Sequence, residues 1–112
     1  MKLSSVSIIV SSEEGVDFYK SLGFKEINRL VRKEMHDELI ILSNQDLELR
    51  LYKDKTHPIR NRKPESLGIR YICLETDNLD AFNDVEVKED KFGRFIFLND
   101  PDNQPIQIRE RK

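Results

Sequence analysis

Two short runs of this 112-residue chain put chemically capable side chains at every second position. From Leu47 to Tyr52, Leu47, Leu49 and Leu51 alternate with Glu48, Arg50 and Tyr52. From Gly68 to Thr76, Ile72 and Leu74 alternate with Tyr71, Cys73 and Glu75. A strand turns successive side chains to opposite faces. Each run therefore offers one apolar face and one face of carboxylate, guanidinium, phenol or thiol groups. Such a surface can hold a small polar molecule through charge-assisted hydrogen bonds. Nucleophilic catalysis is harder to build here. There is no serine–histidine–acid arrangement and no nucleophile elbow, and 4 glycines hardly allow a phosphate-cradling loop. The lone cysteine, Cys73, shares its strand face with Glu75, whose charge raises a thiol's pKa; it is expected as a small half-buried core residue. The histidines are His36, in a turn-like MHDE, and His57, beside Pro58 in a polar stretch.

Composition narrows the classes further. A chain of this length makes one small domain, or two very small modules sharing a core. Hydrophobic residues at 38% against 36% charged allow a thin core under a heavily solvated surface. A net charge of -2, with both signs well mixed, points to neither nucleic acid nor an anionic membrane as partner. One cysteine excludes an internal disulfide framework and any cysteine-rich metal site. The N-terminal apolar run is too short for a signal peptide or a membrane span. A soluble, cytoplasmic protein is expected.

The elements that must position these residues begin at Ser5 to Val10, short, apolar-rich and β-branched, which suits a strand under a helix. Ser11 with Glu14 reads as a capping box. Val16, Tyr19 and Leu22 then share a helical face, with Phe18 at its edge. Gly15 weakens the helix by ~1 kcal/mol relative to alanine, and Gly23 supplies the left-handed stop. Phe24 to Val31, Leu39 to Leu42 and Leu47 to Tyr52 follow as strands, the last two joined through Ser43-Asn44-Gln45-Asp46. Residues 54–66 form a proline-containing basic linker, read as a solvated connection, with a mobile flap as the functional alternative. The pattern then restarts: a strand within Gly68 to Thr76, a truncated helix at Asp77 to Phe82, and strands at Val85 to Val87, Phe95 to Leu98 and Ile106 to Arg109. Asn99 to Gln104 is a tight turn in which Asn103 tolerates positive φ. The repeat period is about sixty residues.

Four motifs in order, EEGVDFYKSLGF at 13–24, LELRLY at 47–52, ICLETDNLDAF at 72–82 and FLNDPDNQPIQIRE at 97–110, resemble the vicinal oxygen chelate superfamily. That superfamily includes glyoxalase I, bleomycin-resistance proteins and extradiol dioxygenases. The resemblance spans nearly the whole chain, with Asn103 where the family's turn carries glycine. It implies an α+β fold in which tandem β-α-β-β-β modules form a cup-shaped mixed sheet. Module one is expected at 1–53 and module two, its helix shortened, at 67–112, commonly completed as a homodimer.

The resemblance also implies where a metal would be held. The family positions fall on Ser5, Glu48, Tyr71 and Gln107, and only Glu48 retains a good ligand. Catalytic zinc ordinarily has three protein ligands, so no cofactor is expected. A divalent metal at a shifted site of His36, Glu38 and Glu48 is the minority alternative. The cleft-facing set is then Ser5, Ser7, Glu48, Arg50, Tyr52, Tyr71, Cys73, Glu75, Gln107 and Arg109. In the functional reading these bind a small polar molecule, with Arg50 or Arg109 engaging a carboxylate or phosphate. In the plain reading their charges pair with one another, for instance Glu48 with Arg109. Three functions follow: a metal-free binding protein, a metal-dependent lyase or dioxygenase with unusual ligands, or a structural or regulatory module whose partner is another protein. The missing tryptophan and modest acidity stand against bleomycin itself as ligand.

Overall fold

Residues 5 to 10 are extended because alternate β-branched side chains fit a pleated surface, and they open as strand β1 at Val6–Val10. The computed structural model describes residues 1–58 and 67–111. After β1 come helix α1 (Glu13–Ser21), β2 (Lys25–Arg32), a 3-10 turn (Lys33–Met35), β3 (Asp37–Ser43) and β4 (Glu48–Lys53). The second series is β5 (Ile72–Thr76), a 3-10 turn (Leu79–Ala81), β6 (Lys88–Asp90), β7 (Gly93–Asn99) and β8 (Pro105–Glu110). The chain divides into two compact units, Met1–Ile59 and Arg60–Lys112. Each carries one four-stranded mixed sheet, ordered β1-β4-β3-β2 and β5-β8-β7-β6. In both, the first strand runs parallel to the last, and the rest are antiparallel. This is the α+β repeat with a shortened second helix that the sequence implies.

In module one the core lies between α1 and one sheet face. Ile8, Val10, Ile40, Leu42, Leu49 and Leu51 are buried there with Val16 and Tyr19 of the helix. Full burial of each aliphatic side chain is worth ~1.5–3 kcal/mol. The helix lies so close to β1 that a Cβ on Gly15 would meet the Val10 Cβ at 2.7 Å. Gly15 is thus required by packing, beyond its cost in helix propensity. The N-cap is Ser12, with no side-chain cap bond, one residue after the Ser11 expected to cap the helix. Charge anchors the helix start instead. Arg29 pairs with Glu13 on α1, with Glu26 and with Glu38, while Lys53 reaches both Glu13 and Glu38. Gly23 takes φ 101 and ends the helix as expected.

Module two buries Ile96, Ile106 and Ile108 with Leu79 from its 3-10 turn. Arg94 clasps this turn, donating to Asp80 at 2.8 Å and to Glu110 at 3.1 Å. The strand expected at Val85 to Val87 instead forms at Lys88–Asp90. Its hairpin closes tightly, with the Phe92 amide donating to Asp90 Oδ1 and Gly93 at φ 122, which fixes β6 next to the turn. Asn103 does adopt positive φ, 68°.

Candidate functional site

Register places the candidate side chains on the sheet face of each module that points away from its helix or 3-10 turn. In module one Ser7 lies opposite Arg50 and Ile9 opposite Tyr52 across the β1–β4 pair, alternating with the core residues Ile8 and Leu51. Ser5 sits just ahead of β1. Glu48 accepts a bond from Arg50 Nε at 2.8 Å. Tyr52 carries the Arg32 guanidinium 4.7 Å over its ring, and Arg32 forks onto Asp37 at 2.7 and 2.6 Å. The pairing holds the Asp37 carboxyl below its ordinary pKa and the guanidinium above it.

In module two the matching face presents Cys73, Gln107 and Phe97 in one row, and Glu75, Arg109 and Phe95 in the next. The Tyr71 and Phe97 rings stack with centroids 5.2 Å apart, and Phe95 meets Phe97 edge-on at 5.8 Å. Arg109 lies 4.7 Å over the Phe95 ring. Its Nε donates to Gln107 Oε1 at 3.0 Å, and its terminal nitrogens donate to both Asp90 oxygens at 3.2 and 2.6 Å. Asp90 is consequently held below the usual carboxylate range. Gln107 is only 3% exposed, whereas Phe97 is 40% exposed.

Several expectations change at this level. Glu48 and Arg109, expected as partners of one another, each have a partner within their own module, Arg50 and Asp90. Cys73 is exposed and is no core residue, because its strand position faces away from the buried isoleucines. Its pKa is raised, first by desolvation, with Arg109 lowering it and Glu75 raising it. Glu75 itself points to Arg111 at 3.4 Å. Alternation alone did not identify Arg32, Asp37, Asp90, Phe95 or Phe97. The last two carry a signal, since FIF at 95–97 sets both phenylalanines on one side of Ile96. The reading of 54–66 as linker or flap lies partly outside the described residues, which omit 59–66.

No protein-family model matches the chain. It is 28% identical over 120 residues to the uncharacterized protein YwkD of Bacillus subtilis, covering 95% of this chain and 94% of that one. A glyoxalase family protein from Enterococcus faecalis superposes with a TM-score of 0.85 at 25% identity, over 97% of both chains. This is the vicinal oxygen chelate fold. FosX from Listeria monocytogenes, in a structure with Mn(II) and 1S,2S-dihydroxypropylphosphonic acid, superposes at 0.74 with 17% identity, over 96% of this chain and 90% of that one.

The superfamily's metal positions can be tested on this chain's own donors. Module one offers a serine hydroxyl, Ser5, and the carboxylate of Glu48, already bound to Arg50. Module two offers the Tyr71 phenol and the Gln107 amide oxygen, which already accepts from Arg109. Of these, only the Glu48 carboxylate is a good divalent-metal donor. Among the described residues no group of three or more histidine, cysteine, aspartate or glutamate side chains is arranged to hold a metal. The shifted site fails on geometry, because Glu38 serves the helix face with Lys53 whereas Glu48 lies on the opposite face, across from Ser43. His36 is the left-handed residue of a turn, φ 57, and His57 pairs with Asp54 at 3.3 Å. The donor set does not fit the superfamily's metal.

Proposed function

We propose that this chain is a metal-independent binding member of the vicinal oxygen chelate superfamily, taking a small polar molecule on the open sheet faces. The observation that supports this reading is the donor chemistry at Ser5, Glu48, Tyr71 and Gln107, where the one carboxylate is held by a guanidinium 2.8 Å away. A lyase or dioxygenase of glyoxalase type needs a Lewis acid with open coordination positions, and these residues would not retain one against water. Metal content of protein purified without chelators, with thermal shift on adding nickel, zinc, manganese and iron, tests the reading. The expected result is no stoichiometric metal and no shift. A stoichiometric metal or a stabilisation of several degrees overturns it.

A protein partner is the second reading, and the edge of β2, which pairs with no further strand among the described residues, favours it. Ile27, which sits at a bulge in the β2–β3 pairing, Leu30 and Val31 are all exposed on this strand. An unpaired strand edge with apolar side chains invites another chain. The proposed occupant is a second copy, giving a homodimer. Sedimentation velocity should show a dimer that Val31→Lys dissociates; a monomer at all concentrations removes this reading. No helix among the described residues is long and apolar enough to cross a membrane.

A further inference from the structure

The open face of module two carries a sharper statement about ligand class, resting on the binding reading above. Its arginine is already engaged: Arg109 is forked onto Asp90, bonded to Gln107 and laid over Phe95. An incoming anion would have to compete with a fixed carboxylate for that guanidinium. Lys88, exposed on β6 opposite Phe95, adds an ammonium at the edge of the face and away from its middle. The unengaged chemistry in the middle is a ring surface. Phe97 is 40% exposed and stacked 29° from coplanar with Tyr71, bridging from the lead-in of β5 to β7. Between them on β8 lies Gln107, buried, with an amide able to bond the rim of a flat molecule. Flat rings stack on such surfaces in offset or edge-to-face arrangements and need no charged partner to do so.

We infer that the open face of module two selects flat, uncharged aromatic molecules with a polar rim, stacked at Phe97 and Tyr71, and discriminates against their carboxylates because Asp90 occupies Arg109. The arrangement makes two separable claims, one about shape and one about charge. A matched set of probes addresses both: benzamide (flat, neutral), benzoate (flat, anionic) and cyclohexanecarboxamide (neutral, not flat).

The experiment is an NMR titration of the full chain with each probe, following backbone amides. Benzamide should move Cys73, Phe97 and Gln107, and bind at least several-fold more tightly than either other probe. Phe97→Leu, which keeps an apolar side chain, should abolish the shifts while the rest of the spectrum persists. Asp90→Asn frees Arg109 and should shift the preference toward benzoate by roughly tenfold, the worth of one charge-assisted hydrogen bond. Equal or tighter binding of benzoate to the unaltered protein overturns the charge claim. Equal binding of cyclohexanecarboxamide overturns the shape claim. If no probe moves an open-face amide in either module, the binding reading itself fails. Shifts at these residues that follow protein concentration would make the surface a self-association face, which also overturns the inference.

Discussion

Module one packs its sheet with nine residues of helix, Glu13–Ser21, and module two with the three residues Leu79–Ala81. The strand order is otherwise the same. The longer segment spreads its hold over Val16, Tyr19 and the close approach of Gly15, and adds the cluster of Arg29, Lys53 and three glutamates. The shorter one rests on a single buried side chain, Leu79, and one arginine clasp. Their open faces differ in the same spirit. Module one presents ion pairs, Glu48 with Arg50 and Arg32 with Asp37, while module two presents rings around one sealed arginine. A repeated topology thus fixes where side chains point and leaves their chemistry free. The proposed ligand discrimination falls on the half with the shorter covering segment.

The comparison can be broken most sharply at Leu79. Leu79→Ala should lose ~2–5 kcal/mol, the cost of a large-to-small change in a closed core, with amide-exchange protection lost first in β5, β7 and β8. If protection is instead lost equally in both modules, their stabilities are not separable. Gly15→Ala comes next. In an open helix it would gain ~1 kcal/mol, but the Val10 contact at 2.7 Å involves Cβ atoms next to the backbone and cannot relax freely. A net loss of ~1–2 kcal/mol is expected by chemical denaturation. A gain would show that α1 can move off β1.

Smaller effects sharpen the contrast. Asn103→Ala should cost ~1 kcal/mol in thermal unfolding, since φ 68 suits asparagine better than alanine. The charge cluster of module one predicts a pH signature. Arg29 and Lys53 lower the Glu13 pKa from 4.5 to about 2. Because the folded value is the lower one, the unfolded chain binds the proton first as pH falls. The contribution is therefore complete above about pH 4.5 and is lost as pH drops toward about 2. The pair is solvent-screened and should amount to no more than ~1 kcal/mol. Glu13→Gln should flatten stability over that window, and an unchanged slope would mean that other carboxylates carry it.

Much of this arrangement is readable in one sequence, and the reasons are local. Alternation in LELRLY and YICLE assigns faces correctly, because one sheet face must be apolar and the period is two. Gly23 and Asn103 announce their backbone geometry through residue type. What sequence conceals is pairing across distance. Arg109 finds Asp90, 19 positions away, only through the β6–β7 hairpin, whose place depends on an Asx-type bond that shifts the strand from 85–87 to 88–90. The helix starts one residue later than the Ser11-Glu14 pattern suggests, with Ser12 as N-cap and Glu13 in the first turn bonded to Arg29 and Lys53 from distant strands. The aromatic row stayed hidden for a similar reason: Tyr71 meets Phe97 only after β8 inserts between their strands.

The stack of Tyr71 on Phe97 also gives module two its own optical label. The chain has no tryptophan and 3 tyrosines, of which Tyr19 and Tyr52 belong to module one. A Tyr19→Phe, Tyr52→Phe protein would fluoresce from Tyr71 alone. Its emission would report on the proposed site and on the unfolding of the second half of the chain, with no dye attached.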